Sequence, residues 1–340
     1  MSTAGAGATA GFAFASGRRH DLLCLGRAGV DLYALQDDTP LEQVGSFRKS
    51  VGGSPANIAT ALARLGGRAA IISMVSDDGF GRYVRTFLQA EGIDVQGLQT
   101  APAGARNSTA FTEMRPDDCQ VIIYRQGAAD LLLHPQGLDG ALIAGSRALL
   151  VTGTALSMSP SREAALHAMQ LARAAGTVVV LDLDYRPYGW SDVAQAAVYL
   201  RLACGLADMV IGNREEFDVL EHLQPAAARD DRQSAQRILQ GPTVAVVVKD
   251  GARGCQVFLQ GGHSLNQGIF AVPVRKPFGS GDAFAGALLW SLLQGQGWQE
   301  ALRRGAAAAA INVSRDACAQ AMASAQELDF FLQSHPEARA

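Results

Sequence analysis

Two short stretches at opposite ends of the chain carry residues whose types and spacing could do chemistry. The later one is Lys276-Pro-Phe-Gly-Ser-Gly-Asp-Ala-Phe-Ala-Gly-Ala287. Pro277 ends any preceding strand, and Gly279, Ser280 and Gly281 form a small-residue turn. A long apolar helix follows, opened by Ala283, Phe284, Ala287 and Leu288. Such a turn presents bare backbone N–H groups at a helix N-terminus. With the helix dipole they make an anion site suited to a transferring phosphoryl group. Asp282, in the same first turn, is placed to take a proton from an attacking hydroxyl. The plainer alternative is a tight turn followed by an acidic first-turn residue, because short glycine motifs recur without function.

The earlier stretch is Val51-Gly-Gly-Ser-Pro-Ala-Asn-Ile-Ala-Thr-Ala-Leu-Ala-Arg-Leu-Gly66. Ser54 reads as an N-cap and Pro55 as the first helical residue. Ile58, Ala61, Leu62 and Leu65 make one apolar stripe, closed by Gly66 and Gly67. Gly52 and Gly53 would let a ligand approach the backbone closely. Asn57, in the first turn, would bond the hydroxyls of a polyol; otherwise it is the exposed Asn of a well-capped helix. Two arginines add a preference for an acid. Arg125 ends a strand-like run, and Arg186 follows the buried run Val178–Asp182 in Asp182-Leu-Asp-Tyr-Arg-Pro-Tyr-Gly-Trp190. Arginine binds carboxylates bidentately, although either residue could instead form a surface ion pair.

The elements that must position these residues alternate. Strand-like runs lie at Leu22–Leu25, Ala69–Val75, Ala148–Thr152, Val178–Asp182, Met209–Gly212 and Val244–Lys249. Most are continuous in hydrophobicity, as expected of strands covered on both faces. Helical patterns fall between them near 55–65, 80–90, 162–175, 215–223 and 234–239, and late helices near 279–294, 298–313 and 324–333. The order predicts an α/β fold with a doubly wound, mainly parallel sheet. Both glycine turns would then sit at strand carboxyl ends, where such sheets bind ligands. Residues 32–51 and 106–126 break the pattern with short alternating runs. Ser108–Met114, the turn Arg-Pro-Asp-Asp and Cys119–Arg125 read as a hairpin. These two segments are expected to form a small β lid or a dimer surface.

Composition bounds the rest. The 340 residues are 48% hydrophobic and 18% charged, with a formal net charge of −3. That suits a globular domain and excludes a basic nucleic-acid footprint. The five cysteines are widely spaced, without a CxxC pair, which argues against zinc or a disulfide framework. No apolar run reaches the ~20 residues that cross a bilayer. The expectation is a cytoplasmic protein, with residues 1–20 as a flexible tail and 21–335 as the working domain.

Taken together and in this order, Gly-Gly-x-Pro-x-Asn and Gly-x-Gly-Asp-x-Phe resemble the two signatures of the ribokinase-like sugar kinases, the PfkB family. The resemblance spans roughly residues 21–333. It implies ATP and Mg²⁺ as cofactors, with room for a monovalent cation, and a homodimer joined through the lid. It implies Asp282 as catalytic base and Gly279, Ser280 and Gly281 as the anion hole. Asn213 and Glu216, in Asn-Arg-Glu-Glu, resemble the motif that organises Mg²⁺ and phosphates, with Glu216 acting on the metal through water. Lys249, Gly251 and Gly254 would meet the nucleotide phosphates. Asp31 would grip substrate hydroxyls, with Gly53 and Asn57 in the same pocket. The late signature usually opens with Asp-Thr-Thr, whose contacts include a monovalent-cation site; here Lys276-Pro277-Phe278 replaces it. That opening resembles the myo-inositol-catabolism branch, the 5-dehydro-2-deoxygluconokinases. Gly26-Arg-Ala-Gly-Val-Asp-Leu-Tyr33 and Ser314-Arg-Asp-Ala-Cys-Ala-Gln-Ala-Met322 resemble it as well. In keto-sugar-acid kinases a similar Asp-x-Asn-x-Arg-Pro segment occurs, with Asp184 here in place of Asn.

The expected activity is transfer from ATP to the terminal hydroxyl of 5-dehydro-2-deoxy-D-gluconate. The runners-up are 2-keto-3-deoxygluconate kinase and fructokinase. From other classes, a nicotinamide-dependent oxidoreductase would need Gly-x-Gly-x-x-Gly after the first strand, and Gly26-Arg-Ala-Gly29 supplies no third glycine in register. A P-loop kinase needs a Gly-Lys pair that the chain lacks. A non-catalytic sugar-binding pseudo-kinase would lose Asp282 or its glycines, and all are present.

Overall fold

The computed structural model describes residues 13–115, 119–224, 230–276 and 278–336. The chain starts along β1 (His20–Leu25), whose side chains are all buried. It crosses into a second sheet through β2 (Gly29–Asp37) and β3 (Phe47–Gly52), then forms α1 (Ser54–Arg64), β4 (Ala69–Val75), α2 (Gly79–Ala90) and β5 (Leu98–Thr100). A hairpin, β6 (Thr109–Met114) and β7 (Val121–Tyr124), precedes α3 (Gly140–Ala144), β8 (Ser146–Thr152), α4 (Ser161–Ala174) and β9 (Val178–Asp182). Then come α5 (Val193–Cys204), β10 (Met209–Asn213), α6 (Arg214–Leu220), α7 (Asp231–Leu239) and β11 (Ala245–Lys249). An antiparallel pair, β12 (Cys255–Leu259) and β13 (Ser264–Gln267), leads to α8 (Ser280–Leu293), α9 (Trp298–Val313) and α10 (Ala325–Ser334).

Among the described residues, nine strands form one sheet in the order β13-β12-β11-β10-β9-β8-β1-β4-β5. It is parallel from β11 to β5, and β12 and β13 run antiparallel at one edge. The direction of winding reverses between β1 and β8, which makes the switch point where such sheets open a ligand crevice. Helices α1, α2, α8 and α9 cover one face and α4 to α7 the other, each through an apolar cluster. The predicted α/β doubly wound, mainly parallel fold is therefore the observed one.

The differences have physical causes. Helix α5 escapes periodicity because Val198 and Leu202 are exposed opposite the buried Ala196, Leu200 and Ala203, so apolar residues lie on both faces. A flexible tail was expected over residues 1–20, but its far end is held in place: Arg18 bonds Ser146, Thr177 and Ala175, and His20 begins β1. Residues 1–12 lie outside the described residues.

The second sheet has the order β3-β2-β6-β7 and contains both interrupting segments. The hairpin strands pair as predicted, Thr109 opposite Tyr124 and Thr112 opposite Val121; turn residues 116–118 lie outside the described residues. Alternation along these strands sends Asp31, Tyr33, Thr112 and Ile123 toward the switch-point crevice. The opposite face carries Phe47, Phe111 and Tyr124 in successive edge-to-face contacts.

Candidate active site

Helices α1 and α8 lie against each other, so closely that a Cβ on Gly286 would stand 2.5 Å from that of Ala61. This brings their N-termini together at the switch point. There Asp282 Oδ1 accepts from Ser54 Oγ at 2.6 Å, and Oδ2 accepts from Asn57 Nδ2 at 2.7 Å. The expected N-cap is thereby corrected: Gly53 takes the cap position, Ser54 is helical, and its hydroxyl turns to Asp282 rather than to its own helix. Asn57 is buried rather than exposed. Burial and the nearby Asp184 raise the Asp282 carboxyl to about 6, against the two hydrogen bonds that favour its charge. At neutral pH it is ionised and close enough to neutrality to receive a proton.

Two cavities flank the turn before α8. One, of about 250 Å³, is polar and lies under the second sheet; it is lined by Asp31, Gly53, Asn57, Arg125, Arg186, Gly279 and Asp282. The other, of about 450 Å³, is mostly apolar and is lined by Lys249, Gly251, Gly254, Phe270, Ser280, Gly281 and Phe284. Every site residue singled out in the sequence lines one of them except Gly52, Asn213 and Glu216. Gly279 and Asp282 face one cavity, and Ser280 and Gly281 the other.

On the polar side, Asp31 Oδ1 accepts from Arg27 Nη2 at 3.0 Å, and the Tyr33 hydroxyl lies 3.3 Å from Oδ2. Arg125 meets the ion-pair alternative in a buried form. Its Nε and Nη2 donate to Asp130 Oδ2, and its Nη1 donates to the Thr154 carbonyl. Arg186 is half-exposed and pairs with Asp184 at 3.0 Å, leaving guanidinium donors toward the cavity. Asp184 first, then Tyr188, Glu216 and Asp282 raise its pKa against the cost of burial. Arg186 and Asp282 line the same cavity. Arg27 occupies the side next to Asp31.

Outside both cavities, Asn213 and Glu216 form a reciprocal capping box. Asn213 Oδ1 accepts from Glu216 N, and Glu216 Oε2 accepts from Asn213 N at 2.8 Å. Glu216 Oε1 also accepts from Tyr185 N. Burial first, then Asp182 and Asp184, push Glu216 up to about 7, although Lys249 opposes them. The Lys249 ammonium stands 3.5 Å from Asp182 Oδ1. A Cβ on Gly281 would stand 3.4 Å from Lys249 Nζ, so the cation sits beside the glycine turn. Burial opposes the charge on Lys249, but Asp182, Glu216 and Asp282 outweigh it and raise its pKa. Among the described residues no cluster of His, Cys, Asp or Glu holds a metal ready-made. Asp182 Oδ1 is buried without a hydrogen-bond partner, and Glu216 has both oxygens engaged. That donor set fits Mg²⁺ arriving with a nucleotide and keeping its waters.

Sequence reasoning missed Arg27, Thr154, Asp184 and Cys318 as lining residues. For Asp184 a signal existed in its departure from Asn. Arg27 could have been found from Gly26-Arg-Ala-Gly29, which places a cation at the exit of the first strand.

The fold and this cleft define a class. Residues 19–325 match the pfkB family carbohydrate kinase pattern, and the chain belongs to that family. It is 50% identical to a protein of Photobacterium profundum named 5-dehydro-2-deoxygluconokinase, over 93% of this chain and 96% of that one. A protein of the same name from Shouchella clausii is 41% identical over 94% and 97% of the two chains. Among solved structures, fructokinase from Xylella fastidiosa with bound ATP is similar with a TM-score of 0.83 and 27% identity, covering 93% of this chain and 99% of that one.

Proposed function

We propose that the protein is a 5-dehydro-2-deoxygluconokinase, transferring the γ-phosphoryl group of ATP to the terminal hydroxyl of 5-dehydro-2-deoxy-D-gluconate. The observation that carries the kinase reading is Asp282 at a glycine turn shared by a polar cavity and an apolar one. The acceptor hydroxyl comes from the polar side and the phosphoryl group from the other, so the proton and the phosphorus meet at one point. The relatives' name and the arginines of the polar cavity support the sugar acid.

In this reading Asp31 and Asn57 bind hydroxyls, and Asp282 receives the proton that leaves the attacking oxygen. The backbone N–H groups of Gly279, Ser280 and Gly281 receive the charge on the transferring group. Lys249 adds a positive charge beside the turn. Gly251 and Gly254 line the adenosine side, where apolar Phe270 and Val272 suit a base. Mg²⁺, held through water by Glu216 and the Asp182 side of the cluster, would neutralise phosphate charge. The contacts of a monovalent cation, the further cofactor of the resemblance, would fall at the opening that here holds Lys276. Arg186 is first choice for the substrate carboxylate and Arg27 second, because each nitrogen of Arg125 already donates to Asp130 or to the Thr154 carbonyl. The second sheet acts as a lid that excludes water from the phosphoryl group. Its outer face, with Ile122 43% and Tyr124 66% exposed, joins two copies as a homodimer. Among the described residues no helix is long and apolar enough to cross a membrane. The free cysteines support the cytoplasm as the site of action.

The test is a panel of three acceptors with ATP and Mg²⁺: 5-dehydro-2-deoxygluconate, 2-keto-3-deoxygluconate and fructose. The expected order of kcat/KM places the first highest. A higher value for fructose replaces the acid-kinase reading with fructokinase, and no turnover of any acceptor favours the binding-only alternative.

A further inference from the structure

Lys276 has no exposed surface, unlike the other two lysines of the chain. Its ammonium meets the Phe278 carbonyl, Asn312 Oδ1 at 3.0 Å and the Cys318 thiol. The orientation of Asn312 is fixed from its other end, where Nδ2 donates to the Cys318 carbonyl at 3.1 Å. An ammonium carries three N–H donors, one for each of these partners, and two of the three, the Phe278 carbonyl and Asn312 Oδ1, can only accept. Burial outweighs Cys318, Asp282 and Asp31, which favour the charge, and lowers the Lys276 pKa from its ordinary value.

The same groups are the floor of the anion turn. Gly279 is left-handed, with φ 85°, and a Cβ there would stand 2.6 Å from Cys318 Sγ and 2.9 Å from Asn312 Oδ1. The Phe278 carbonyl and the Gly279 N–H belong to one peptide unit. A planar trans peptide holds the two in opposite directions. By drawing the carbonyl down, Lys276 fixes the N–H away from the floor. Cys318 continues the contact toward the acceptor side: its Sγ lies 2.8 Å from the Tyr33 hydroxyl, itself 3.3 Å from Asp31 Oδ2.

We infer that Lys276 is a positioning residue for phosphoryl transfer, a cation tethered under the anion hole that holds the Gly279 peptide in its donating orientation. The inference rests on the kinase reading above. Because the group at work is a buried ammonium with three ligands, a free cation of the same size can take its place once the side chain is removed.

The experiment compares wild type, Lys276→Ala, Lys276→Met and Lys276→Gln on whichever panel acceptor wild type phosphorylates fastest, so an error in the acceptor does not decide the result. Cooperative thermal unfolding of each variant confirms that it is folded, and Lys276→Gln serves if Lys276→Met is not. Loss of one aligned oxyanion-hole donor typically costs on the order of 10²–10³ in kcat, and a fall of about thirtyfold or more is expected, with KM for ATP changed less than about threefold. Ammonium chloride, against tetramethylammonium chloride at equal ionic strength, should restore kcat in Lys276→Ala, whose truncated side chain leaves room for the cation, and leave wild type and Lys276→Met unchanged. A folded variant with near-wild-type kcat overturns the inference. So does a loss in Lys276→Ala that ammonium leaves untouched, which would make Lys276 a packing residue. Absence of turnover by wild type on every acceptor overturns the kinase reading and this inference together.

Discussion

At the turn before α1, the space left by the missing side chains is filled by the protein's own atoms. A Cβ on Gly52 would stand 2.0 Å from the Asp31 carboxyl, and one on Gly53 would stand 2.3 Å from the Arg27 carbonyl. At the turn before α8, Gly279 rests on Cys318 and Asn312, while Gly281 meets only the flexible end of Lys249 at 3.4 Å. The two turns read alike in sequence, two glycines and a helix. The first makes room for an acidic side chain and a strand crossing; the second borders open cavities on both sides. A glycine pair ahead of a helix thus says that something approaches closely, and only the structure says whether it is protein or ligand.

The largest expected effect is at the group both turns serve. Asp282→Asn keeps the shape and the contacts to α1 but cannot take the proton, so kcat should fall on the order of 10²–10⁴ with acceptor KM little changed. The pH profile sharpens this. The carboxyl sits at about 6, so the base form is present above that pH and is lost below it. Wild-type kcat/KM should therefore rise with pH through about 6 to a plateau. A rising limb that survives in Asp282→Asn would belong instead to Glu216, near 7. Near-wild-type kcat in the variant would reduce Asp282 to a first-turn residue.

Next come the acceptor-side changes. Arg186→Ala removes a charge-assisted hydrogen bond worth about 1.5–3 kcal/mol, roughly ten- to a hundredfold in kcat/KM for the acid. A neutral ketose should lose little. Equal losses on both acceptors would mean that Arg186 holds Asp184 rather than a carboxylate. Gly52→Ala should displace Asp31 and raise acceptor KM by about tenfold, with KM for ATP unchanged.

Much of this was legible in the chain. Continuous apolar runs gave the central strands almost to the residue, since burial on both faces leaves no other pattern. The late turn revealed Asp282 because glycines and an acid before an apolar helix are scarce in that order. The contacts around it were not legible. Ser54 looks like a cap in any one-dimensional reading, and only the packing of α1 on α8 turns its hydroxyl to Asp282. Asn213-x-x-Glu216 satisfies both a capping box and a phosphate motif, so its spacing alone could not separate them. Arg27 and Cys318 lie far apart in sequence and meet the same crevice through topology.

The smallest predicted effect separates the two turns most directly. Gly281→Ala adds a methyl group where the nearest protein atom is Lys249 Nζ at 3.4 Å, the end of a long side chain that can shift by a few tenths of an ångström. The fold should tolerate it, with thermal unfolding close to that of wild type. The methyl group would, however, stand where a phosphoryl group approaches the amides of the turn. KM for ATP should rise by about threefold or more while acceptor KM stays constant, the reverse of the pattern for Gly52→Ala. Steady-state kinetics with each substrate varied in turn read both numbers. If Gly281→Ala instead leaves ATP untouched and disturbs the acceptor, the later turn faces the sugar alone, and the division of labour between the two glycine turns is wrong.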